Sequence, residues 1–186
     1  MNPAFFDRPV LEVAPELIGA SLFVDGVGGT IVEVEAYRPD DPASHAYGNR
    51  RTARNGSMFL PGGHAYVYRS YGSHWCLNLV CEAADEGAAV LIRALEPVSG
   101  LETMRSRRGS VADRLLCAGP GRLCQALGVT RELDGAPLDA PPFELAPRSD
   151  LPQLVSGRRI GLTKGADTPW RFGLAGSRFL SRAFGG

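Results

Sequence analysis

The stretch Ile31-Val32-Glu33-Val34-Glu35-Ala36-Tyr37 decides how the rest of the chain is read. Apolar and polar residues alternate along it, the signature of a strand with one face buried. A period of two sets Glu33, Glu35 and Tyr37 on one face and Val32, Val34 and Ala36 on the other. If the valine face is core, carboxylate and aromatic groups project together into solvent or into a cleft. An ordinary solvated edge is the plain alternative, and pattern alone favours it.

Working outward, Ser21 to Val24 reads as a strand joined to Thr30–Tyr37 by the glycine-rich turn Asp25-Gly26-Val27-Gly28-Gly29. A short helix over Leu11 to Gly19 precedes it. Asp40 to Gly63 is polar, with no sustained period, and reads as loop with some short helix. His64 to Tyr71 and His74 to Cys81 are strand-like runs around Gly72-Ser73, and Ala88 to Leu95 is apolar enough for a central strand. Ser99-Gly100-Leu101-Glu102 has capping-box spacing and predicts a helix through Arg107, and Ser110-Val111-Ala112-Asp113 starts a second in the same way. Gly119-Pro120-Gly121 opens a third, which stops near Gly128. Asp134 to Pro152 reads as an extended surface excursion. Arg159–Thr163, Trp170–Leu174 and Ser177–Ser181 read as late short strands. Strand runs separated by a helical block predict a mixed α/β or α+β class, with residues 1–186 as one domain.

The chain has 186 residues, 44% of them hydrophobic, enough for one sizeable core. Its apolar runs are too short to cross a bilayer, and the N-terminus lacks a signal-peptide pattern, so no membrane association and a soluble, cytoplasmic setting are expected. Cys76, Cys81, Cys117 and Cys124 lie in apolar surroundings without zinc-type spacing and read as buried free thiols. Net charge is zero, with 20 Lys+Arg against 20 Asp+Glu, which is not the balance of a typical nucleic-acid binder. The distribution is uneven, however. Basic residues cluster at Arg50, Arg51 and Arg54, at Arg105, Arg107 and Arg108, and from Arg158 to Arg182, while acids gather between Glu132 and Asp150.

Tyr66, Tyr68 and Tyr71 concentrate near His45 and Tyr47. Tyr66 reads as a sheet-packing ring, and Tyr71, at the entry to the Gly72 turn, as a residue able to project and wedge between bases. His74, Cys76 and Asn78 share a strand face. No His-x-His, His-Glu-x-x-His or Cys-x-x-Cys spacing supports a metal, no Gly-x-Ser-x-Gly elbow a serine triad, and no glycine fingerprint a nucleotide cofactor.

Taken together, Ile-Val-Glu-Val-Glu-Ala-Tyr at 31–37, Tyr-Val-Tyr-Arg-Ser-Tyr-Gly at 66–72 and Leu-Ile-Arg-Ala-Leu-Glu-Pro at 91–97 resemble the alkyladenine (3-methyladenine) DNA glycosylase family. Phe5-Phe6-Asp7, Arg54-Asn55-Gly56, Met58-Phe59 and Gly119-Pro120 with Leu123-Cys124-Gln125-Ala126-Leu127 match in the same order. The resemblance covers essentially the whole chain. It implies a curved, largely antiparallel sheet flanked by helices, a fold shared with the accessory domain of formyltransferases. It further implies a monofunctional, cofactor-free enzyme that flips 3-methyladenine, 7-methylguanine and, by extension, hypoxanthine or ethenoadenine out of double-stranded DNA and hydrolyses the N-glycosidic bond. The catalytic glutamate falls on Glu35 rather than Glu33. Base-binding positions fall on Tyr37, His45, Tyr68, Asn78 and Arg93, the intercalating wedge on Tyr71, and backbone contacts on Thr52 and Arg54, with Arg50 in the same cluster. A monomer associated with the nucleoid through DNA is expected. The competing reading is a non-catalytic nucleic-acid-binding module of related fold, which has no need of Glu35; a metal-dependent hydrolase is a third.

Overall fold

The computed structural model describes residues 1–70, 72–109 and 111–185. Its first hairpin joins Ser21–Val24 (β1) to Val27–Tyr37 (β2) through Asp25 and Gly26 alone, at φ of 49° and 73°. Positive φ at both positions is the type I′ geometry that suits strand twist and that Asp-Gly adopts readily. Gly28 and Gly29, expected in the turn, are instead strand residues, and close approach is the reason. A Cβ on Gly28 would lie 2.0 Å from the Leu22 carbonyl oxygen, and one on Gly29 would lie 1.9 Å from that of Glu96.

β2 is the spine of a curled, antiparallel sheet of eight strands among the described residues. Its order is β3 (Ala65–Ser70), β4 (His74–Cys81), β5 (Ala88–Ser99), β2, β1 and β6 (Phe143–Ala146). Along its second edge β2 pairs first with β1 and then, from Glu33 to Glu35, with β8 (Arg171–Leu174), which carries β7 (Leu154–Gly157) on its far side. The changeover coincides with an irregular stretch at which the β2–β5 ladder skips Val32 and then Arg93. Such bulges bend a strand and re-aim its side chains. Val32 accordingly leaves the face of Val34 and Ala36 and packs on Ala94 and Phe179, which corrects the strict alternation expected.

Three helices, Val10–Glu16 (α1), Leu101–Arg108 (α2) and Pro120–Leu127 (α3), lie on one face. Val13, Leu17, Met104 and Leu123 meet Val34, Val67, Leu77 and Ile92 in the main core. α3 begins at Pro120 and ends at Gly128, φ 76°, as expected. α2 forms, but without the Ser99 cap: Ser99 is the last residue of β5 and Gly100 stands at the helix start with φ 73°. The second helix is reduced to a 3₁₀ turn at Asp113–Leu115, and Ser110 is outside the described residues. Two late strands are also corrected. Arg159–Thr163 and Ser177–Ser181 are irregular, whereas the supposed excursion from Asp134 contains β6, paired with β1.

The opposite face of β3, β4 and β5 is covered as well. The Asp40–Gly63 segment, with 3₁₀ turns at Tyr47–Asn49 and Gly56–Phe59, folds over it and builds a second, smaller core from Ala46, Met58, Phe59, Tyr66, Val80 and Ala89. Central strands therefore alternate between two interiors rather than between core and water. Gly29→Ala tests the close crossing of β2 and β5. It should destabilise the fold by at least about 1–3 kcal/mol, the range for forcing extra atoms into packed structure, as read by urea denaturation.

Candidate active site

The register of four strands lays one row of side chains across the sheet. Glu35 pairs with Leu91, Leu91 with Asn78, and Asn78 with Tyr66, in the order β2, β5, β4, β3. All four face away from the helices and line a cavity of about 820 Å³. Tyr37, Tyr68, Cys76 and Arg93, from neighbouring positions on the same strands, line it too. Its rim comes from His45 and Arg54 of the covering segment, Pro120 at the start of α3, and Ile160 to Leu162.

Glu33 and Glu35 are both 0% exposed, so neither lies on a solvated edge. Their partners distinguish them. Glu33 accepts from Arg93 Nε (3.0 Å), Arg171 Nε (2.8 Å), and the Ser181 amide and hydroxyl (2.5 and 2.7 Å), and does not line the cavity. Glu35 accepts from the Tyr37 hydroxyl at 2.8 Å on one oxygen and from the Ile160 amide at 2.8 Å on the other, which also lies 3.3 Å from Arg93 Nη1. A carboxylate oxygen has two acceptor sites, so the one bonded to Tyr37 retains capacity toward the cavity. Burial works against the charge of Arg93, but Glu35 and Glu33 outweigh it and hold its pKa above the ordinary guanidinium value. Burial first, and then the adjacent Glu35, push the Tyr37 phenol far up, so it stays a proton donor. Burial raises the Tyr68 phenol and the Cys76 thiol likewise.

Aromatic rings form one wall. Tyr66 and Tyr68 stack at 5.4 Å between centroids and 29° between planes, and His45 meets Tyr68 edge-on at 4.5 Å. Tyr66 packs the sheet as expected, yet its hydroxyl also bonds His45 Nδ1 at 2.9 Å and so fixes the imidazole. Tyr37, which also lines the cavity, is backed by the Arg159 guanidinium, 4.7 Å from its ring centroid. Asn78 donates to the Tyr66 carbonyl at 3.0 Å.

The structure thus brings Glu35, Tyr37, His45, Tyr68, Asn78, Arg93 and Arg54 together at one cavity. Arg50 and Thr52 do not line it; both are exposed on the same covering segment. Tyr71 lies outside the described residues.

Three contributors escaped the sequence reading. Asn55 is buried and organises the covering segment: its amide donates to the carbonyls of His45 (2.8 Å) and Arg50 (3.1 Å), and its oxygen accepts from the Thr52 amide at 2.6 Å. Arg159, counted within a basic cluster, is buried against Asp41 and bonds the Ala36 carbonyl at 3.0 Å. Ile160 contributes only a backbone N–H, which no side-chain pattern signals. Other clustered arginines are also spoken for. Arg105 pairs with Glu102 and Asp113, while Arg107 and Arg108 donate to the carbonyls of Ala126 and Leu116.

Desolvation against the two tyrosines, followed by the positive charge of Arg54, lowers the His45 pKa below its ordinary 6.5. A depressed value favours neutral imidazole in the fold, so its stabilising contribution is present above 6.5 and is lost as pH falls through the lower folded value. The stability difference between the native protein and a His45→Gln variant should therefore shrink on acidification below 6.5, as read by thermal melts. A difference that is constant with pH contradicts the assignment.

Comparison with known proteins adds to this geometry. Residues 4–178 match the family described as methylpurine-DNA glycosylase (MPG). The chain is 63% identical over 180 residues, covering 97% of it and 89% of the relative, to a protein of Rhodopseudomonas palustris (strain HaA2) named "Putative 3-methyladenine DNA glycosylase". Proteins of the same name from Nitrosospira multiformis and Rhizobium meliloti are each 59% identical to this chain. They match over 96% and 97% of this chain and 92% and 95% of their own lengths, respectively.

Proposed function

The chain belongs to the methylpurine-DNA glycosylase family, and from that membership we propose a base-excision-repair enzyme that removes damaged purines with a water activated by Glu35. The observation that carries the proposal is the buried Glu35 carboxylate at a cavity walled by aromatic rings.

A base stacked in duplex must be extruded before its glycosidic bond is reached, at a cost of a few kcal/mol. The arriving purine fills the cavity with Tyr37 on one side and Tyr68 and His45 on the other. N-alkylated purines such as 3-methyladenine and 7-methylguanine carry positive charge while attached to the sugar, which favours them between aromatic faces. It also makes them ready leaving groups; hypoxanthine and ethenoadenine are neutral and need more help from the site. Departure of the base leaves an oxocarbenium-like sugar. The Glu35 carboxylate, held by Tyr37 and Ile160, stabilises that charge and accepts a proton from the attacking water. Asn78, held by its bond to the Tyr66 carbonyl, lines the cavity where it would disfavour a purine carrying a 2-amino group.

Arg50, Thr52 and Arg54 hold the DNA backbone outside the cavity, and Tyr71 fills the vacancy left by the flipped nucleotide. The sole lysine, Lys164, is exposed, and no lysine lines the cavity, so hydrolysis without strand cleavage is the expected course. The enzyme acts as a cofactor-free monomer on cytoplasmic DNA.

The test is single-turnover release of free base from duplex containing one 3-methyladenine or hypoxanthine. Glu35→Gln should keep duplex binding and lose roughly 10²–10⁴-fold in rate. Undiminished turnover refutes the role of Glu35. Binding without release by the native protein favours a non-catalytic module instead.

A further inference from the structure

We propose that Glu33 is a positioning residue that ties the C-terminal segment to the reacting carboxylate through Arg93; the inference rests on the glycosylase reading of Glu35. Glu33 gathers Arg93, Arg171 and Ser181 in the interior. The Arg93 guanidinium is shared three ways, with Nε on Glu33 at 3.0 Å, Nη1 at 3.3 Å from Glu35, and Nη2 donating to the Ser181 hydroxyl at 3.3 Å. Arg171, the ladder partner of Glu35, also reaches the C-terminal segment, through the Arg182 and Ala183 carbonyls. The Phe184 ring closes over that guanidinium at 3.8 Å, in space that Gly173 leaves open, since a Cβ there would lie 2.4 Å from the ring.

The cluster balances two carboxylates against two guanidinium groups, and the division of Arg93 between them is what matters. While Glu33 and Ser181 hold its Nε and Nη2, only Nη1 faces Glu35. The Arg93 charge then supports Glu35 from one side without occupying the oxygen bonded to Tyr37. Removing the charge of Glu33 leaves two arginines with one carboxylate. Arg93 is then free to turn fully onto Glu35 and to draw the carboxylate out of the geometry set by Tyr37 and Ile160. Ser181 acts in the same direction, because its hydroxyl donates to Glu33 while accepting from Arg93.

Glu33→Gln keeps shape and removes charge, Glu33→Asp keeps charge, and Ser181→Ala removes only the hydroxyl bridge. Each full-length variant is compared with the native protein for single-turnover base release and for affinity toward a duplex with one hypoxanthine. Glu33→Gln should lose roughly 10- to 100-fold in rate, the scale of a displaced active-site group, with affinity unchanged. Glu33→Asp should recover part of that rate, and Ser181→Ala should lose rate without losing affinity. A folded Glu33→Gln variant with native rate overturns the proposal, as does a fall in rate and affinity in common proportion. Should Glu33→Gln fail to fold, Ser181→Ala decides: native rate overturns the proposal, and rate loss at native affinity supports it. Absence of release by the native protein overturns the reading of Glu35 and this inference with it, and is thereby distinguished from failure of the inference alone.

Discussion

Taking an ionised carboxylate out of water costs several kcal/mol unless donors replace the lost hydration, and β2 does so twice within three residues. Much of the chain far from β2 in sequence is committed to meeting that cost. Arg93 comes from β5, Arg171 from β8, Ile160 from the loop after β7, and Ser181 from beyond β8. The irregular segments between Gly157 and Arg171 and after Leu174 supply several of these donors, Arg159 to Asp41, the Ile160 amide to Glu35 and Ser181 to Glu33. Their donors explain why the two acids differ. Glu33 is enclosed by interior donors and does not line the cavity, whereas Glu35 does.

Register turns this local chemistry into a site. Glu35, Leu91, Asn78 and Tyr66 share a row only because β2, β5, β4 and β3 pair as they do, and a slip by one residue would carry every member to the helix side. Helices on the other face hold that register by burying Val34, Ile92, Leu77 and Val67. The Asn55-centred covering segment then converts an open sheet face into a walled cavity.

The strands of this frame were legible from local pattern: β1, β3, β4 and the body of β2 lie where strand-like runs set them, and β5 where a continuous apolar run does. The motifs around Glu35, Tyr68, Asn78 and Arg93 lay on those same strands, so the resemblance and the ladder converge on one cavity. What was not legible had no periodic signature. The bulge at Val32 depends on a change of neighbour from β1 to β8, a long-range event. β6 lies within the Pro-, Asp- and Ala-rich stretch that reads as a surface excursion, and its pairing with β1 is long-range, while the Ser99 box was pre-empted by the longer β5. Burial of Arg159 and Arg171 also could not be read from composition, and it changes the meaning of a zero net charge. Several arginines are structural, and the exposed ones that line the cavity, Arg54 and Arg69, form a smaller basic rim.

The most direct measurement is a crystal structure of the Glu35→Gln variant bound to a duplex carrying one hypoxanthine. The account predicts the lesion base flipped between Tyr37 and Tyr68, with residue 35 facing the anomeric carbon across a single ordered water. A base seated elsewhere, or a flipped base with residue 35 turned away from the sugar, would contradict it.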